Sequence, residues 1–547
     1  MKKHIEPRRY LLGFQSRELP YRFTDVLVVG SGVAGLRAAL AAAEHADVLL
    51  VSKAELRECN THYAQGGVAV VLAEPDSIEG HVRDTLTVGQ GLCVPEVVDT
   101  VVREGPVRIR ELIAAGAQFD GEGGELNLTR EGGHSQARII HARGDATGAE
   151  VERALLQQVA DCPRIQTLEH TFVVDLLTDD GACIGAILSS QVQGLTIVCA
   201  RQTVLASGGL GQVYRETTNP EVATGDGIAM AYRAGAALQD MELVQFHPTT
   251  LYIAGASRWL ISETVRGEGA YLVNSAGERF MPRYHPDAEL APRDVVSRSI
   301  LAEMRATGAT HVSLDLRHLD AEHARARFPT IARVCSQFEL DLAQDLIPVR
   351  PSAHYMIGGV RIDLDGHTSL DGLYACGECS CSGLHGANRL GSNSLLEGLV
   401  FGTRAGENAG QAAAAGAQMP KPPIIRSDIP AGYGDGLDLR DISNALKSLM
   451  WRRVGIERTD TLLAEAEENI DFWCRYVMVK EFNFRGGWEL QNMLSLAKII
   501  TVAARTRTES RGVHYRNDYP EPDDQNWLTH VTFVRPQTIA DEPSRPS

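Results

Sequence analysis

The sequence has no uninterrupted apolar run of the roughly 20 residues that a bilayer-spanning helix requires. No apolar stretch follows Lys2, Lys3, Arg8 and Arg9 before Asp25, so the first 22 residues read as a surface extension rather than a signal peptide. Cationic charge is in short supply: 53 Lys and Arg stand against 70 Asp and Glu, a net charge of −17. This argues against a nucleic-acid partner, because phosphate affinity needs surplus cations. It leaves an acidic small substrate open, since a local basic pocket can sit in an acidic protein. Cysteine is neither dense nor patterned. Ten are scattered along the chain, which reads as reduced, cytoplasmic usage rather than a disulfide framework. Cys376, Cys379 and Cys381, with His385 close behind, resemble a metal cluster only on the surface. No second ligand pair at zinc-module spacing accompanies them, so no metal is expected.

What is present fits a globular protein, with 44% hydrophobic and 22% charged residues. At 547 residues the chain exceeds one ordinary core, and two or three domains are expected. Asp25-Val26-Leu27-Val28-Val29 reads as a buried parallel strand, Leu36 to His45 as a helix, and Asp47 to Val51 as a second strand. Gly30-Ser31-Gly32-Val33-Ala34-Gly35 lies where the first strand enters the helix. There its glycines and the helix N-terminus can hold a dinucleotide pyrophosphate. A NAD site would carry an acid at the end of the second strand for the ribose. This chain carries Ser52 and Lys53, which weakens NAD and leaves FAD open.

Asn60-Thr61-His62-Tyr63-Ala64-Gln65-Gly66-Gly67 follows, a loop able to lie along a flavin or to be an ordinary turn; composition alone leaves both open. Thr203 to Gly209 is another strand ending in glycine, Thr224-Gly225-Asp226-Gly227 opens a helix, and Asp371 to Glu378 is a further strand–glycine–acid unit. A helix begins near Ser394 and Leu395. Strands feeding glycine turns both early and late imply an α/β, Rossmann-like FAD-binding domain (23–240 and 356–420). A capping α+β domain (241–355) splits it. After the N-terminal extension (1–22) and these two, a C-terminal helical bundle domain (421–547) is expected, built on amphipathic stretches Leu437 to Met450, Arg458 to Val477 and Leu490 to Arg507. From about Asp518 the chain is rich in Pro and Asp and reads as irregular.

Polar residues gather at Gln245-Phe246-His247, Ser262 to Gly269, Pro292-Arg293-Asp294, Ser352-Ala353-His354 and Arg389 to Ser392. Each alone is more often structural: a capped helix, a surface arginine or a satisfied core histidine. Together they are what a small dicarboxylate needs: bidentate arginine and His or hydroxyl donors to replace lost hydration.

At these residues the chain resembles the flavoprotein family of succinate dehydrogenase and fumarate reductase, and within it the branch that oxidises L-aspartate. The resemblance runs from Asp25 to about Pro520 and includes Arg505-Thr506-Arg507-Thr508-Glu509-Ser510-Arg511-Gly512. It implies that FAD is held by Ser31, Gly32, Val33, Ala34, Gly35, Lys53, Asn60 to Gly67, Asp226, Glu378, Ser394 and Leu395. It implies that substrate carboxylates are held by His247, Ser262, His354, Arg389 and Ser392, with Gln245 alongside, and that Arg293 is the family's proton-transfer arginine. Membrane-complex members attach FAD covalently to a histidine five residues before the Gln or Glu of the Gly-Gly turn. Here that position is Asn60, with His62 displaced by two, so dissociable FAD is expected. Glu131, in Leu128 to Ser135, would attract the ammonium that distinguishes aspartate from succinate; without the resemblance it reads as a solvated loop acid. The implied reaction is oxidation of L-aspartate to iminoaspartate with electrons passed to O2 or fumarate, on the route to quinolinate and NAD. A transient hand-over of product to quinolinate synthase, and no membrane partner, go with it. The alternative is a fumarate reductase or succinate dehydrogenase flavoprotein subunit.

Overall fold

The computed structural model describes residues 8–253, 259–416, 418–429 and 436–535. The first apolar run forms strand Tyr21–Val29, with Val26, Leu27 and Val28 fully buried. It lies in parallel register between Val48–Val51 and Gly194–Leu205. Ile165–Leu168 and Leu373–Ala375 extend this parallel sheet at either side. Parallel strands covered on both faces need near-continuous apolar sequence, which is why these segments carry it. Thr171–Asp179 and Ala182–Ser190 add an antiparallel extension.

Helix Val33–Ala43 leaves the first strand through Gly30, whose φ is +113° and where a Cβ would stand 2.1 Å from the Ala206 carbonyl oxygen, so no side chain fits. It packs against helix Asn393–Ala414 from the far end of the domain. The contact is a stripe of glycines every four residues. A Cβ on Gly402 would stand 2.7 Å from the Ala34 carbonyl oxygen, on Gly406 2.3 Å from that of Ala38, and on Gly410 2.8 Å from that of Ala42. This close approach brings the two helix N-termini to one cavity.

The inserted stretch carries strands Val244–Leu251 and Ile347–Met356, paired antiparallel, and helix Arg293–Thr307. It has its own apolar core between Leu251 and Val349. Helices Leu439–Arg453, Asp460–Val477 and Arg485–Thr506 form the C-terminal bundle. Among the described residues no helix is long and apolar enough to cross a membrane, and no group of His, Cys, Asp or Glu is arranged to hold a metal ion.

Two expectations are corrected. Residues 8–20 are not a surface extension: Leu11, Leu12 and Phe14 are buried, and Phe14–Gln15 pairs with Arg426–Ser427. The Leu11 N–H also donates to Asp175 at 2.7 Å. The segment past Asp518 is not left irregular as far as residue 535. Thr532–Phe533 pairs with Leu238–Gln239, and the buried Arg507 guanidinium donates to the Trp527 and Thr529 carbonyls at 3.0 and 2.8 Å. Three further helices, Ile78–Val88, Pro95–Ala114 and Thr147–Asp161, fill a stretch to which the sequence reading assigned no element. Ser77, which caps the first, and Pro95, which opens the second, are the local signals that mark them.

Candidate functional site

The two helix N-termini and the cap line one continuous cavity, which runs from the glycine turn at Gly30 to Arg389 and His354.

The dinucleotide side is lined by Gly30 to Ala34, Ser52, Lys53, Asn60, Thr61, Tyr63 to Gly67, Asp226, Glu378, Ser394 and Leu395. The Val33 N–H donates to Thr61 Oγ1 at 3.0 Å, so the following loop caps the first helix. Lys53 Nζ is bound by Thr224 at 2.6 Å, Asp226 at 2.5 Å and Glu489 at 2.9 Å. Burial alone would raise the Asp226 carboxyl, but Lys53 outweighs it and holds the group below the usual range. Glu378 accepts from Asn60 Nδ2 at 2.7 Å and from the Met356 N–H at 3.0 Å, and burial pushes its carboxyl up to about 7. Asn60 Oδ1, Gln65 Oε1 and Ser207 Oγ are buried along this wall without a hydrogen-bond partner among the described residues. Buried polar atoms left unmatched are costly, so these mark where a hydroxyl- and amide-rich ligand completes the wall. FAD has those groups, and the residues present fit it.

Two residues expected to touch the cofactor do not line the cavity. His62 turns outward, with Nδ1 2.6 Å from Glu152. Gly35 sits beneath the turn, where a Cβ would meet the Gly30 carbonyl at 2.0 Å, so its part is helix–strand packing.

On the other side stand His247, Ser262, Glu263, Arg293, His354, Tyr355, Arg389, Ser392 and Glu131. Arg389 donates to Gln245 Oε1 at 3.0 Å and to Ser394 Oγ at 2.6 Å, and its guanidinium lies 4.6 Å from the Tyr355 ring centre. Arg293 donates to Glu263 at 2.6 Å and to the same Gln245 oxygen at 3.1 Å. Gln245 therefore does not line the cavity but pins both guanidiniums from behind. Burial, reinforced by Arg293, lowers Arg389 to about 10, so an entering anion relieves a real cost. Burial followed by neighbouring guanidiniums drives His247 and His354 well below the usual imidazole range; both are neutral at pH 7. The Thr249 N–H donates to His247 Nδ1 at 3.3 Å, which places the ring proton on Nε2. The two rings lie 5.2 Å apart.

Glu131 is buried at 3% exposure. Its two oxygens accept from Thr264 Oγ1 at 3.0 Å and Ser392 Oγ at 2.8 Å, and among the described residues it forms no ion pair. Ser392 holds a left-handed φ of +63°, strained for a side-chain-bearing residue, at the start of helix Asn393–Ala414. Gly391 lets the groups close in: a Cβ there would meet Arg293 Nη2 at 3.0 Å and Glu131 Oε2 at 3.1 Å.

Glu263, Thr264 and Tyr355 fell within or beside the polar segments gathered from the sequence, but none was given a role there. Glu263 and Arg266 are three residues apart on one short helix and pair at 3.5 Å, a spacing legible in the sequence. Burial would raise Glu263, but Arg293 and Arg266 together hold it below the usual range. Tyr355 was hidden by alternation, which would put it opposite His354. The register slips between Gln245↔Tyr355 and Phe246↔Ala353, and this irregularity turns both rings to the cavity.

Residues 25–395 match the family described as FAD binding domain, and residues 443–544 the fumarate reductase flavoprotein C-terminal family. The L-aspartate oxidase of Streptomyces coelicolor is 45% identical, over 93% of this chain and 90% of its own length. The chloroplastic L-aspartate oxidase of Arabidopsis thaliana is 43% identical, over 96% and 85%. Among solved structures, the FrdA chain of E. coli quinol fumarate reductase superposes with a TM-score of 0.87 at 34% identity, covering 96% of this chain and 99% of that one. Mycobacterium smegmatis Sdh1 in complex with UQ1 gives 0.81 at 33%, covering 96% of each.

Proposed function

Because this chain belongs to the L-aspartate oxidase branch of the succinate dehydrogenase and fumarate reductase flavoproteins, we propose that it oxidises L-aspartate to iminoaspartate. The electrons leave to O2, giving hydrogen peroxide, or to fumarate, and the product enters quinolinate and NAD synthesis. Hand-over of product to quinolinate synthase goes with that role, since an imine hydrolyses in water. The ten unpaired cysteines fit a cytoplasmic setting.

One observation carries the reading: a buried carboxylate without an ion pair, Glu131, shares a cavity with two guanidiniums and two neutral histidines. A dianion bearing one ammonium matches that distribution; a plain dicarboxylate leaves Glu131 unanswered.

Bound FAD supplies the two-electron acceptor. Ser31 to Ala34, Lys53 with Asp226, Asn60, Gln65, Glu378, Ser394 and Leu395 would hold it. Arg389 and Arg293 bind the substrate carboxylates, and Gln245 fixes the spacing between them. His247 donates from Nε2. The substrate ammonium must lose a proton before the C=N bond forms, and a Glu131 carboxylate oxygen takes it. Arg293 stabilises the bound anion and, for fumarate reduction, donates the proton, with Glu263 held against its guanidinium at 2.6 Å.

The test is peroxide release from the purified holoenzyme on adding L-aspartate, compared with succinate. Release with aspartate alone is expected. Turnover of succinate with none of aspartate would transfer the chain to the fumarate reductase and succinate dehydrogenase alternative.

A further inference from the structure

Helix Arg485–Thr506 of the C-terminal bundle presses one face against the back of the cofactor cavity. Arg485, Trp488, Glu489 and Asn492 lie at the three- and four-residue spacings that put side chains on a single stripe. None of the four lines the cavity itself, but each holds a residue near it. Trp488 stacks on Phe172, a lining residue, with ring centres 5.5 Å apart. Glu489 Oε1 accepts from Lys53 Nζ at 2.9 Å. Arg485 donates to that same oxygen at 2.8 Å and to the Lys53 carbonyl at 3.1 Å. Asn492 Nδ2 donates to Asp226 Oδ1 at 2.7 Å, and its own oxygen accepts from the buried Arg233 guanidinium at 2.7 Å.

The Lys53 ammonium has three protons, and they go to Thr224, Asp226 and Glu489. None is left for a ligand, so the side chain is a strut between the FAD-binding domain and the bundle. Asp226 differs. Its Oδ2 accepts from both Lys53 and Thr224. Among the described residues its Oδ1 accepts from Asn492 alone. A carboxylate oxygen takes two donors, so one acceptor position stays open on a side chain that lines the cavity. In a βαβ dinucleotide site the pyrophosphate lies on the glycine turn and the ribose beside the end of the second strand. That end is Ser52 and Lys53, so the stripe backs the adenosine end of FAD.

We propose that this stripe makes the C-terminal bundle part of the FAD site. Glu489 and Asn492 are positioning residues that fix Lys53 and Asp226 at the adenosine end, and Trp488 backs Phe172. Docking of the bundle and binding of FAD therefore strengthen each other, and by linkage the coupling is reciprocal.

The experiment follows flavin fluorescence over a dilution series of the holoenzyme to give the FAD dissociation constant, and displacement of FAD by ADP to give that of ADP. The variants are Glu489→Ala, Glu489→Gln, Asn492→Ala and, as a control, Lys498→Met. Lys498 is on the same helix but pairs with Glu467 and Asp471 of the neighbouring helix at 2.9 and 2.7 Å. Glu489→Ala and Asn492→Ala should weaken FAD and ADP about tenfold each, the loss of one hydrogen bond to a charged group. Glu489→Gln, which keeps an acceptor, should recover part of this. Lys498→Met should lower the thermal midpoint yet leave both constants within about twofold. With FAD in excess the visible spectrum of the bound flavin should match the wild type in every variant, because the stripe lies at the other end of the cofactor. Unchanged constants in both alanine variants, or weakening of FAD without ADP, overturns the proposal. Equal weakening by Lys498→Met also overturns it, since FAD would then sense the stability of the bundle and not this stripe. Amide exchange needs no variant: FAD in excess should slow exchange across residues 485–492 relative to flavin-depleted wild type, and equal exchange in the two would sink the coupling.

Discussion

Asn60 gives its side-chain amide to Glu378, 2.7 Å away, and offers no nucleophilic ring to a flavin. The nearest imidazole in sequence, His62, is turned outward and held by Glu152 at 2.6 Å. We therefore expect FAD to dissociate: after acid precipitation the yellow colour should stay in the supernatant, and a coloured pellet that survives washing would contradict it. The displacement of the histidine was visible in the sequence, but not that His62 leaves the cavity wall. Arg293, His247, His354 and Arg389 were legible only as a set, because together they supply the guanidinium and imidazole donors that a dicarboxylate needs. Gln245 was legible as a site residue but not in its place, since only the three-dimensional arrangement sets it behind both guanidiniums. Thr264 lay within the polar segment Ser262 to Gly269, but its hydrogen bond to Glu131, 133 positions away, was not legible.

The elements show the same split between local and distant information. The first strand, its glycine turn and the second strand could be read because apolar continuity and Gly30 carry their own reasons. Helix Asn393–Ala414 could be placed by its start near Ser394, yet its packing face could not. Glycine inside a helix ordinarily counts against it by about 1 kcal/mol, whereas here Gly398, Gly402, Gly406 and Gly410 are what admits the first helix. Gly406→Val should separate the two helices, since its Cβ would stand 2.3 Å from a backbone oxygen that cannot move alone. A cost of about 1–3 kcal/mol is expected from overpacking of this kind. Because both N-termini open on the cavity, flavin content should fall together with the thermal midpoint. An unchanged midpoint with full flavin content would show that this contact does not position the site. The register irregularity at His354 is the counterpart in the sheet: strand Ile347–Met356 bends just where it meets the substrate wall.

Across the whole molecule, the two chain ends and the buried histidines tie function to pH. The basic, polar beginning concealed Leu11, Leu12 and Phe14, and the Pro- and Asp-rich end concealed a strand closed onto Leu238–Gln239. Near that strand His530 meets Asp240 at 2.6 Å, and this contact raises its imidazole. Seven other histidines behave oppositely. Burial lowers His81 to about 3 and His134 and His141 to about 4, lowers His311, and drives His247, His354 and His514 well below the usual value. Each is neutral in the fold and takes up a proton on unfolding once the pH drops below about 6.5. The stability tied to each is thus present above that pH and lost as the pH falls, at about 1.4 kcal/mol per pH unit per proton. Three buried glutamates run the other way: Glu378, raised to about 7, with Glu152 and Glu242, all pushed up chiefly by burial. Their contribution is full below about 4.5 and declines as the pH rises. His530 contributes below about 6.5 and loses its share above its raised value. Seven histidines outweigh three glutamates between about pH 6.5 and 4.5. Below that window Asp226, Glu263 and Glu397, which salt links and hydrogen bonds hold low against burial, add to the acid loss. Calorimetry of the holoenzyme should therefore show the midpoint falling steadily from pH 7 to pH 5. A midpoint that stays level or rises over that interval would mean that these imidazoles are already charged in the fold, and that His247 and His354 meet the substrate as cations.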